Sequence, residues 1–100
     1  MNELFETEGS TVKLKRNPDV NEINQVKAAL VEIMNSGADT VMLDMTSTGN
    51  LNSTTVGMAV AVHLRAVEAD KKLTVRINKA QRRLFELTML TNTLSLEVAE

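Results

Sequence analysis

Apolar residues recur along this chain with two alternating periods, and that alternation fixes the class of fold open to it. Val12, Leu14 and Arg16 alternate with Lys13 and Lys15, the period-two pattern of a strand with one wet face. Leu4 to Thr7 reads as a preceding strand, with Glu8-Gly9-Ser10 as the turn. Asn17-Pro18-Asp19 breaks the pattern, and Asp19 or Asn21 is placed to cap the next helix. From Glu22, Ile23, Val26, Leu30, Ile33 and Met34 fall at helical spacing until Ser36-Gly37.

The cycle then repeats. Thr40 to Thr46 is short, apolar at most positions and free of breakers, so it reads as a central strand covered on both faces. After a polar loop, Ser53 to Ala69 carries apolar residues around most of its circumference, the pattern of a helix buried on more than one side. Leu73, Val75 and Ile77 give another strand. Lys79 to Thr91 gives an amphipathic helix through Leu84, Leu87 and Leu90, and Leu94, Leu96 and Val98 a last strand. The order β-β-α-β-α-β-α-β implies one α/β domain over residues 1–100, with a largely parallel sheet and an antiparallel opening hairpin.

Several functions lose ground on composition. Phe5 and Phe85 are the only aromatic residues, too few for a platform that stacks bases or flat cofactors. A net charge of −2 exerts no pull on nucleic acid or anionic lipid. Arg76, Lys79, Arg82 and Arg83 form the one basic cluster, and without interleaved aromatics it reads as a solvated face. There is no cysteine, Met1 to Gly9 has no apolar run of the kind a signal peptide needs, and no apolar stretch nears the ~18 residues of a membrane span. The expected location is the cytoplasm.

Catalysis is not expected either. The single histidine, His63, lies ten residues from Ser53 on one predicted helix, ~15 Å away at ~1.5 Å per residue. It reads as a partly buried helix histidine. Asp39 and Asp44 stand an odd number of residues apart along a strand and so point to opposite faces. No phosphate loop, metal site, cofactor or small-molecule ligand is expected, since the four glycines are scattered and only carboxylates remain as ligands.

The informative segment begins with Val41-Met42-Leu43-Asp44-Met45-Thr46 and continues, across a polar loop, into Leu51-Asn52-Ser53-Thr54-Thr55-Val56-Gly57. A run of hydroxyls opens a helix, where backbone amides are unpaired and the dipole is positive. Asn52, Ser53 or Thr54 can cap that helix. The same position would accept a phosphate, which gains roughly 0.3–2 kcal/mol from the helix terminus. It also adds about −1.5 to −2 charge to whatever docks there.

In its order of elements the chain resembles the STAS domain, the fold of bacterial anti-sigma-factor antagonists. There a strand ending near an aspartate precedes D-S-[S/T]-G-L-G at a helix start, which VMLDM and LNSTTVG resemble. Lys72 to Ile77 and Leu87-Thr88-Met89-Leu90 resemble the family's next strand and its L-T-G-L. The resemblance implies a protein partner, a kinase that doubles as an anti-sigma factor, and phosphorylation at Ser53, with Thr54 as the neighbouring hydroxyl. Gly57 matches the motif's last glycine, while Asn52 replaces its aspartate and Thr55 its first glycine. The expected partner surface comprises Thr48, Gly49, Asn50, Asn52, Ser53, Thr54, Thr55 and Gly57, with Met58 and Val62 as an apolar stripe. The alternative is a scaffold subunit of a larger signalling or transporter complex that does not switch.

Overall fold

The computed structural model describes residues 3–88 and 94–99. Strands β1 (Phe5–Glu8) and β2 (Thr11–Leu14) pair as an antiparallel hairpin, turned at Gly9 with a φ of +58°. Helix α1 (Ile23–Asn35), strand β3 (Thr40–Asp44), helix α2 (Ser53–Glu68), strand β4 (Lys72–Asn78), helix α3 (Lys79–Leu87) and strand β5 (Ser95–Ala99) complete the chain order. The fold is mixed α/β with the element order that the periodicities predict. The sheet runs β1-β2-β3-β4-β5, parallel from β2 onward.

That strand order decides where the core lies. Each parallel connection steps one strand further in the same direction, and right-handed crossovers of that kind put every helix on one face. Val12, Leu14, Val41, Leu43, Leu73, Val75 and Ile77 supply the covered face, each at most 1% exposed. Val26 and Leu30 of α1, Ala59, Val62 and Ala66 of α2, and Phe85 of α3 close over it.

The expectation that β3 is covered on both faces is therefore corrected. Among the described residues no helix covers its other face, where half-buried Met42 lies between Thr11 and Thr74. One row of that open face crosses all five strands as Glu6, Lys13, Asp44, Arg76 and Glu97. The charges alternate in sign, and opposite charges side by side on a sheet face stabilise the pairing. Arg76 therefore does not join Lys79, Arg82 and Arg83. It stands on the open face beside Glu97, while the other three are exposed on α3.

Local chemistry sets the element ends. β3 stops at Asp44, whose Oδ1 accepts from the amide of Thr46 at 2.9 Å and from its hydroxyl at 2.7 Å. α3 ends four residues before the expected Thr91, where the Thr88 hydroxyl donates to the Leu84 carbonyl at 2.9 Å. Met89, Leu90 and Thr91 lie outside the described residues.

The N-cap of α1 is Glu22, with no side-chain cap bond, rather than the expected Asp19 or Asn21. Asp19 and Glu22 instead bond reciprocally across the turn before the helix. The Glu22 amide donates to Asp19 Oδ1 at 2.9 Å, and the Asp19 amide donates to Glu22 Oε1 at 3.0 Å. Arg16 adds a two-pronged ion pair to the Glu22 carboxylate at 2.7 and 2.6 Å. The guanidinium first, and the Asp19 amide second, hold the Glu22 carboxyl down at about 2, against an ordinary 4.5. A lowered carboxyl stabilises the fold above its unfolded pKa and loses that effect as pH falls through the folded one. The stability gap between the parent and Glu22→Gln is thus expected to be widest near neutrality and to close between about pH 4.5 and about 2. Urea midpoints of both proteins across that range measure it, and a gap independent of pH would contradict the linkage.

Candidate functional site

The loop from Met45 to Asn52 and the start of α2 lie at the carboxyl end of the parallel strands, where α1 and α3 also begin. Open α/β sheets place their recognition surfaces at this end. Two anchors hold the loop there, one on each side.

The first anchor is Asn17. Its Nδ2 donates to the Asn50 carbonyl at 2.7 Å, while its Oδ1 accepts from the Thr55 hydroxyl at 2.7 Å and the Asn52 amide at 3.3 Å. The second is Gln81, 4% exposed, which donates from Nε2 to the carbonyls of Met45 at 2.7 Å and Gly49 at 2.8 Å. Gln81 also closes a capping box with Asn78, whose Nδ2 reaches the Thr46 carbonyl at 3.3 Å. Thr48 donates to the Leu14 carbonyl at 3.3 Å, and Gly49 turns the chain with a φ of +81°, a region that favours glycine. A loop tied at so many points presents a fixed surface.

Of the three candidates for the cap, Asn52 fills the role: its side chain accepts from the Thr55 amide at 2.8 Å. Ser53 and Thr54 are exposed, and neither side chain has a hydrogen-bond partner among the described residues. The two departures from the family motif both have internal roles. Asn52 caps, and Thr55, 0% exposed, ties α2 to Asn17.

Thr48, Gly49, Asn50, Asn52, Ser53 and Thr54 are thus gathered at one end of the molecule, with Gly57 exposed one turn down α2. Three expected surface residues are corrected. Thr55 is buried, and Met58 and Val62, 3% and 1% exposed, belong to the core. The outward apolar residues of α2 are instead Leu64 and Val67, more than half exposed, with half-buried Val60 and Ala61 beside them. The helix packs on the sheet and on α1 along its inner side, and among the described residues nothing covers its outer side, so burial on more than one side is also corrected.

Sequence reasoning missed three residues near the site. Asn17 figured only as part of a chain breaker, and Gln81 only as a helix residue. Val20, 77% exposed, is an apolar side chain three residues beyond Asn17. The signal for Gln81 was available: Asn78 followed three residues later by Gln81 is a capping-box spacing.

His63 shares a groove with Val67, Leu73, Leu94 and Ser95, and no hydrogen bond joins His63 to that serine. No three histidine, aspartate or glutamate side chains converge in a way that could hold a metal ion. No described helix is long and apolar enough to cross a membrane.

No family model matches this chain, and no curated protein matches it in sequence. Among solved structures it is similar to that of a candidate anti-sigma factor antagonist from Thermotoga maritima. The TM-score is 0.72 at 14% identity, over 96% of this chain and 85% of that one. At that identity the likeness is one of fold.

Proposed function

We propose that this chain is a signalling module of the anti-sigma-factor-antagonist kind, acting by binding a protein partner rather than by catalysis. Its partner is a kinase or anti-sigma-like protein, and phosphorylation at Ser53, with Thr54 as the second choice, releases it. One observation carries the reading. Ser53 is exposed at the head of α2, its hydroxyl has no partner among the described residues, and Asn52 already caps the helix. A phosphate there leaves the fold's hydrogen bonds intact and is favoured by the helix terminus. Its cost falls on whatever protein covers that surface.

The rigid loop supports the same reading. Preorganised surfaces bind without paying to order themselves, so a single added charge controls affinity directly. At ~1.4 kcal/mol per tenfold change, a cost of ~3 kcal/mol for seating a phosphate or its mimic against the partner weakens binding roughly a hundredfold.

The test is capture from the native cell with the parent chain and with Ser53→Glu as baits, followed by intact-mass analysis of each. A protein held by the parent and lost with Ser53→Glu, together with a phosphate on Ser53 or Thr54 in the unbound pool, is the expected result. A partner retained equally by both baits, with the chain unmodified, would refute the switch and favour the scaffold subunit.

A further inference from the structure

The outer side of α2 carries a pattern that the core does not explain. Gly57 sits inside a sixteen-residue helix, where glycine is a poor helix former. A Cβ built on it meets nothing within 4 Å, so none of the described residues requires its absence. On the same side stand Ser53, Val60, Ala61, Leu64, Val67 and Glu68, since residues three, four and seven apart share a helix face. Among the described residues nothing covers Leu64, 55% exposed, or Val67, 59% exposed.

We propose that this face pairs with the same face of a second copy, two α2 helices lying antiparallel about a two-fold axis between Val60 and Ala61. Such a contact is isologous, so each residue meets the one equally far beyond the axis. Leu64 and Gly57 lie nearest the mid-line of the face, so Leu64 seats over Gly57 of the second copy, once on each side of the axis. A large side chain set on a residue with none lets two helices approach closely. Ser53 meets Glu68 of the second copy. A parallel arrangement about the same stripe loses this match, because it stacks Leu64 on Leu64 and leaves two glycine hollows empty.

The pairing of Ser53 with Glu68 gives the dimer its control. A neutral hydroxyl is compatible with a facing carboxylate, whereas a phosphate or a glutamate at Ser53 sets like charges against each other twice, once on each side of the axis. This control rests on the reading that Ser53 is modified; the dimer itself does not. α2 spans only about 24 Å at 1.5 Å per residue, so the contact belongs with small, reversible interfaces that bury less than about 1,200 Å².

Sedimentation equilibrium of the purified chain from about 10 μM to about 1 mM tests the dimer, with far-UV circular dichroism to confirm folding. A concentration-dependent dimer is expected. Leu64→Arg and Gly57→Leu should each make it monomeric while leaving it folded, since both positions face solvent. Ser53→Glu should weaken the dimer about tenfold or more, and adding Glu68→Lys should restore it. A parent chain monomeric at about 1 mM, or a dimer that survives either Leu64→Arg or Gly57→Leu, overturns the proposal. A dimer lost with Ser53→Glu and not regained with Glu68→Lys refutes the Ser53–Glu68 pairing. These outcomes are read without any other protein present, so they stand apart from success or failure in capturing a partner.

Discussion

Phe85→Ala is expected to remove about 3–5 kcal/mol of stability. Phe85 is the largest of the fully buried side chains, and a 100-residue domain has only about 5–15 kcal/mol to lose. Its position magnifies the effect. Nine-residue α3 is too short to hold as an isolated helix, and it buries only Phe85 and Gln81. Truncating the ring leaves a void and takes away the main apolar hold of α3 on β4 and β5. Urea unfolding read by circular dichroism measures the change, with Phe85→Leu expected to lose much less. A loss below about 1.5 kcal/mol for the alanine variant would mean that the core collapses into the space.

Gln81→Ala is expected to cost about 2–4 kcal/mol and to loosen the recognition loop. Two carbonyls lose the Gln81 donor: that of exposed Gly49, and that of fully buried Met45, which keeps the Thr48 amide at 3.1 Å. Each of the two lost hydrogen bonds costs about 0.5–1.5 kcal/mol, and the capping box with Asn78 is lost at the same time. Hydrogen exchange separates this effect from plain destabilisation. The loop amides of Thr46 and Thr48, which donate to Asp44 Oδ1 and the Met45 carbonyl, should exchange faster relative to those of β3 and β4. If all amides accelerated together, Gln81 would be a core residue with no particular hold on the loop.

These two residues lie four apart on one helix, and neither was read as its buried residue. The apolar stripe expected for that helix ran through Leu84, Leu87 and Leu90, but Leu87 is 71% exposed and Phe85 fills the core instead, a correction that the sheet's position under α3 decides. The element order was legible, because period two and period 3.6 are easy to tell apart in segments of this length. The Gln81 contacts were not, since they reach Met45 and Gly49, 36 and 32 residues away. Asn17 is the same case, bonding at distances of 33 to 38 residues along the chain.

The errors on α2 have a different origin. When apolar residues occur all round a helix, spacing says that a face is buried but not which one. Met58–Val62 and Val60–Leu64 are equally good four-residue stripes, and only the placement of β4 and α1 chooses between them. Coverage of β3 was likewise a matter of strand order. An apolar run such as Val41-Met42-Leu43 is compatible with one covered face or two, and the stepwise order β2-β3-β4-β5 leaves one of them bare.

That bare face has a consequence of its own. Glu6, Lys13, Asp44, Arg76 and Glu97 read the same in sign from either edge of the sheet, a palindrome centred on Asp44. Turn a copy over and lay it on the original strand for strand, and every charge meets its own kind: Asp44 on Asp44, Lys13 on Arg76, Glu6 on Glu97. Within one molecule neighbours in the row differ in sign; between two aligned molecules the facing charges repel. The surface that the topology leaves uncovered is thus the one that two aligned copies cannot share.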